Sequence, residues 1–161
     1  MIKQTSIAIA ALAVAMSGTA VAQDIFGEPI SGTVVLDANF EDDPDLTSLI
    51  SGGMIDASEA AEGCAGYISD DPDLRLSFTG SGASSAYPLY ISVESDEDTT
   101  LVINAPDGKW YCNDDGGEGN NPLVVFGPAQ SGNYEIWVGS YEEGGYHQST
   151  LRISELGPGN N

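Results

Sequence analysis

Positive charge is nearly missing from this chain. Its 161 residues hold four Lys and Arg against 25 Asp and Glu, with one histidine, for a formal net charge of −21. So few cations cannot neutralise a run of phosphates, which excludes nucleic-acid binding by charge. The same acidity repels anionic lipid heads, leaving divalent cations or a basic partner surface as natural counterparts. Cysteine is scarce as well: Cys64 and Cys112 are the only two, and with a lone histidine they fall short of the four ligands of a structural zinc site. The apolar run Ile7 to Met16 is shorter than the roughly 17–25 residues that span a bilayer, so membrane insertion is not expected. No segment has the length and 3.6-residue period of a substantial helix, and no glycine loop followed by Lys and a helix is present to cradle a phosphate.

Catalytic chemistry is equally thin. The single histidine, His147, sits in the glycine-rich stretch Gly144 to Ser149, two positions from Ser149. A hydrolytic triad needs a nucleophile, a base and an orienting group, and adjacency in sequence supplies none of that geometry. Abundant carboxylates do not define a glycosidase either, because that chemistry needs two carboxyl groups at a set separation across a cleft. The expectation is a non-enzymatic protein; a hydrolase with a carboxylate-based site, or a self-assembling extracellular structural component, are the alternatives.

What is present begins with an export signal. Lys3, the apolar run Ile7 to Met16, then Ser17, Gly18 and Ala20-Val21-Ala22 supply a positive region, an apolar centre and small residues before a cleavage point after Ala22. Residues 1–22 are therefore read as a secretory signal peptide and 23–161 as a single domain with short flexible ends, periplasmic or extracellular. In an oxidising compartment Cys64 and Cys112 are expected to pair, contributing about 4 kcal/mol on the chain-entropy account.

Apolar residues occur in short alternating runs, unlike those of a disordered acidic chain. Leu74, Leu76 and Phe78 alternate with Asp73, Arg75 and Ser77, and Leu89, Ile91 and Val93 with Tyr90, Ser92 and Glu94. Period two marks strands with one dry face. Further runs lie at 30–36, 46–50, 99–104, 109–113, 122–126, 134–139 and 150–154, separated by Gly, Pro, Ser and Asp. Such spacing predicts an all-β, antiparallel sandwich of about eight strands. The string Asp-Asp-Pro-Asp-Leu, at 42–46 and again at 70–74, is read as one turn solution used twice.

Ala105-Pro106-Asp107-Gly108 is a turn between two of these runs. Setting Ala105 opposite Gly108 pairs Ile103 with Trp110 and Leu101 with Cys112, which places Cys112 on the dry face. The same register brings Asp96, Glu97 and Asp98 near Asn113, Asp114 and Asp115. Like charges at that distance repel unless something neutralises them, and Ca2+, which takes six to eight oxygen ligands, suits the place. A solvated acidic loop without an ion is the alternative. On the strand 134–139, if Tyr134, Ile136 and Val138 face the core, Trp137 points to the other side, either exposed as an anchor for an extracellular protein or glycan or covered by another segment.

Residues 98–115, from Asp98 through Ala105-Pro106-Asp107-Gly108 to Asp115, resemble the central motif of the bacterial pre-peptidase C-terminal domain family. Asn121-Pro122 and the segment Ser131 to Gly139 are similar to its next two blocks, and Gly63 to Ile68 followed by Pro72-Asp73-Leu74 resembles the cysteine-containing segment of exported stand-alone relatives. The resemblance implies a jelly-roll-like β-sandwich that serves as an accessory module of secreted hydrolases, and it strengthens the calcium reading at Asp96, Asp98, Asn113, Asp114 and Asp115. Unlike many relatives, this chain is expected to stand without a catalytic domain beside the module.

Overall fold

The structure, a computed structural model, describes residues 23–80 and 87–159. The expected signal peptide lies outside the described residues. In chain order the elements are β1 (Thr33–Asp37), β2 (Asp45–Ser51), β3 (Ile55–Asp56), α1 (Ala57–Ala60), β4 (Tyr67–Ile68), β5 (Leu74–Thr79), β6 (Leu89–Glu94), β7 (Thr99–Asn104), β8 (Trp110–Asn113), β9 (Leu123–Phe126), β10 (Gly132–Ser140) and β11 (His147–Ser154). One sheet runs β1-β5-β10-β4-β3, with β7 and then β8 continuing from the other side of β10; the second runs β2-β11-β6-β9. The expected all-β sandwich is therefore the fold. Each of the nine runs singled out by its pattern forms a strand, one more than the eight or so expected, and the two-residue β3 and β4 bring the number among the described residues to eleven.

Pairing is antiparallel except at one edge, where β1 lies parallel to β5 with Thr33 opposite Arg75 and Asp37 opposite Thr79. A parallel pair cannot be closed by a tight turn. Here the chain leaves β1 for β2 in the other sheet and returns to β5 only after β3, α1 and β4.

Alternation decides the core. Leu74, Leu76 and Phe78 of β5, with Leu101 and Ile103 of β7 and Tyr134, Ile136 and Val138 of β10, meet Leu89, Ile91 and Val93 of β6 and Leu151 and Ile153 of β11. Each fully buried aliphatic or aromatic side chain in that layer contributes roughly 1.5–3 kcal/mol through removal from water. A smaller second cluster forms on the outer face of the larger sheet, where Trp137 and Val102 are covered by Ala57, Cys64 and Ile68 and flanked by Trp110 and Cys112. The poorly patterned stretch after Met54 supplies that cover, with Asp56 capping the single turn of α1 through Ser58 N–H.

The β7–β8 hairpin differs from expectation by one residue. Ala105 N–H donates to the Lys109 carbonyl at 3.0 Å and Gly108 N–H to the Ala105 carbonyl at 2.8 Å, so the loop comprises Pro106, Asp107 and Gly108, with Gly108 at φ 75°. A type I turn followed by a left-handed glycine inserts one residue more than a two-residue turn would. Val102 therefore pairs with Cys112, Ile103 with Tyr111 and Asn104 with Trp110. A slip of one exchanges faces: Cys112 and Trp110 join the outer cluster, while Tyr111 packs edge-on against Phe126 at 4.9 Å. The Cys64–Cys112 disulfide does form, with Cα atoms 5.5 Å apart, on the opposite face from the one expected.

Of the two alternatives for Trp137, the structure shows the covered one. It does point away from the main core, but it is fully buried, with Trp110 5.3 Å from it between ring centroids and its indole Nε1 donating to the Asp70 carbonyl. It is a covered structural side chain in this fold, not an exposed anchor.

Candidate functional site

The acidic residues singled out in the sequence gather partly, at one end of the sandwich. Burial raises the pKa of Asp98 above the usual carboxylate range, and the charges of Asp115, Asp114 and Glu142 add to the rise. The charges of Asp115 and Asp114 thus reach Asp98, as does that of Glu142 from the β10–β11 loop, which no short-range pattern connects to them. Asn120 donates to one Asp98 oxygen at 3.3 Å, and the other is buried without a partner. Asn113 has a different task from the expected one. Its Oδ1 accepts from Gly116 N–H at 2.6 Å and Leu123 N–H at 2.9 Å, pinning the loop between β8 and β9. Asp96 is exposed and lines a cleft of about 670 Å³ with Glu94 and Glu118. Among the described residues no group of three or more His, Cys, Asp or Glu is placed to hold a metal ion.

A second region was not read from the sequence. Around the corner after β2 lies a groove of about 620 Å³, within the size range of ligand pockets. Its rim carries four large apolar side chains that remain in water: Ile30, 64% exposed, Ile50, 52%, Met54, 69%, and Tyr146, 57%. Beneath them lie Leu49 and Ile68, both buried. Gly52 and Gly53 make the corner possible. A Cβ on Gly52 would run into the Gly145 carbonyl, and one on Gly53 into the Ile68 carbonyl, so only glycine lets these backbones approach so closely. Gly52 also has φ 111°, a conformation that side chains resist.

Two acids, Asp70 and Asp73, line the same groove, and no Lys, Arg or His does. Asp70 is exposed; Asp73 is buried. The position of Asp73 follows from how β5 begins. The Pro72 carbonyl is engaged by Ile30 N–H at 2.9 Å, and the Asp73 carboxylate accepts from Val138 N–H at 2.7 Å, continuing the ladder by side chain. Burial pushes this carboxyl up to about 7, a rise only partly offset by the Val138 hydrogen bond. Asp45, the equivalent residue in the earlier Asp-Asp-Pro-Asp-Leu string, is also raised by burial.

His147 and Ser149 do not make a nucleophile and base. Ser149 Oγ donates to the His147 backbone carbonyl at 3.2 Å, and Ser51 Oγ donates to the same oxygen. Among the described residues no helix is long and apolar enough to cross a membrane. No model of a known family matches the chain, and no curated protein matches it.

The groove escaped sequence reading because its wall comes from segments far apart in the chain: the lead-in at Ile30, the end of β2, the β4–β5 turn and the loop before β11. One local signal pointed there. Gly52-Gly53 between two apolar residues, Ile50 and Met54, marks a close backbone approach beside exposed apolar surface.

Proposed function

We propose that this protein is an exported, non-catalytic binding domain whose ligand sits in the groove rimmed by Ile30, Ile50, Met54 and Tyr146. The observation that carries this reading is the gathering of those four water-exposed apolar side chains around one concavity. Scattered surface apolar residues need no explanation, whereas a contiguous rimmed patch marks an interaction site. The secretory pattern of residues 1–22 and the Cys64–Cys112 bridge support export. The ordered motif resemblance to pre-peptidase C-terminal domains supports an accessory binding role.

A neutral solvatochromic dye such as Nile red tests the reading, because an anionic dye would be repelled by the acidic surface. Saturable binding to the native protein is expected, reduced at least fivefold in the double variant Ile50→Ser/Met54→Ser. No native-state binding, or binding indifferent to both substitutions, overturns the groove as the site.

Calcium stabilisation of the acidic end is a second reading, favoured by the buried, unpartnered oxygen of Asp98 beside Asp114, Asp115 and Glu142. Carboxylate oxygens are the donors that hard cations take. The fit is partial, since Asn113 is already committed to backbone and the carboxylates do not form a ready group of three.

A further inference from the structure

The end of β2 lines the groove through Leu49 and Ile50, and this strand is the outer edge of its sheet, paired among the described residues only with β11. Edge strands present unpaired backbone groups and are normally blunted by charge, proline or covering segments. Here the outward row of β2 is Leu46, Ser48 and Ile50, and both apolar members are more than half exposed. An edge strand with an apolar outer face thus ends at an apolar groove whose charged lining is acidic, on a chain of net charge −21.

Resting on the groove as the binding site, we propose that its occupant is an extended segment of a partner protein that pairs with the edge of β2 and sets an aliphatic or aromatic side chain, next to Lys or Arg, into the groove. Addition of a strand to an open edge supplies affinity through main-chain hydrogen bonds, and pockets for alternate side chains supply the selection. Ile50, Met54 and Tyr146 contact the apolar side chain. Asp70, exposed at the lining, pairs with the cation, and the surrounding negative field draws basic segments in preference to acidic ones. A detached amphiphile would use the groove alone and leave the edge of β2 idle. Trp137 supplies an internal reporter, because its indole donates to the Asp70 carbonyl at 3.3 Å.

The experiment uses the disulfide-bonded protein with a labelled peptide of alternating Leu or Val and Lys, read by fluorescence anisotropy at two salt concentrations and by tryptophan emission. Saturable binding that weakens with salt is expected, with at least a tenfold loss when alternate backbone amides of the peptide are N-methylated. Asp70→Asn should weaken it about fivefold, as loss of a partly exposed ion pair would. Replacing Lys by Glu in the peptide should abolish it. Equal binding of the Glu peptide, insensitivity to N-methylation, or displacement by octylammonium as effective as by the peptide each overturns the proposal. Nile red binding retained alongside peptide failure removes the strand-pairing partner but leaves the groove; loss of both removes the groove as well.

Discussion

Asp73 shows how a single carboxyl can set the pH response of the domain. Its folded pKa of about 7 stands above the usual 3.8, with burial as the principal cause. The native state therefore favours the protonated form, and its contribution is fully present below about pH 4 and lost as pH rises through 7. Asp45 and Asp98, also raised by burial, act in the same direction. Thermal melts should accordingly show stability falling as pH rises from about 4 to about 7. In Asp73→Asn, which retains an oxygen to accept from Val138 N–H but cannot ionise, that fall should shrink by on the order of 1–4 kcal/mol, the scale of a shift of a few units. An unchanged pH profile in the variant would show that Asp73 does not titrate with folding. The position of Asp73 was not visible in advance: Leu74, Leu76 and Phe78 announce β5, but nothing local says that the strand's first acid will replace a backbone carbonyl in the ladder.

At the scale of elements, the β7–β8 hairpin shows what turn chemistry does to a site. Pro106 and Gly108 identify the turn, yet whether Gly108 closes a two-residue loop or occupies the left-handed position of a three-residue one depends on which backbone groups meet across the strands. The three-residue solution moved Cys112 and Trp110 to the outer face. It still left Asp98 near Asp114 and Asp115, because a shift of one alters pairing far more than it alters which strand ends are neighbours. If calcium binds that end with Kd on the order of 10⁻⁴ to 10⁻³ M, as extracellular structural sites do, about 10 mM should stabilise the fold by roughly 1.4–2.7 kcal/mol. Magnesium at equal ionic strength should give less, and Asp98→Asn should remove the difference. Equal shifts with both ions, unchanged in the variant, would leave screening of a highly charged chain as the cause.

Across the whole molecule, the two clusters have different supports. The main core is held by two sheets with many strands on each side. The outer cluster around Trp137 depends on one short segment, residues 55–68, that contains a single helical turn and two minimal strands. The disulfide fastens this cover to β8. Replacing both cysteines by Ala should therefore lower stability by about 4 kcal/mol or somewhat less, and also shift tryptophan emission to the red as water reaches Trp110 and Trp137. Loss of stability without the emission change would mean that the cover stays in place without its bond. Because Ile68 and Asp70 lie in or just beyond this segment and line the groove, opening the cover should weaken Nile red binding in parallel.

Period-two alternation by itself determined the longer strands and the inner faces of β5 and β6, since a pleated strand has no other way to bury Leu74, Leu76 and Phe78 together; the face of β8 it did not determine. Two cysteines sufficed to anticipate the bridge, and the acid-rich strand ends sufficed to anticipate a charged pole. Tertiary structure decided the rest. Whether Trp137 was exposed or covered depended on a segment with no periodicity, whose place is set by packing and by the bridge. Asn113 was diverted from the acidic pole by backbone N–H groups of its own loop. The apolar groove arose where Ile30, the corner carrying Ile50 and Met54, and Tyr146 were brought together from three separate stretches, because glycines at 52 and 53 allowed backbones to touch; proximity of that kind is a property of the folded chain.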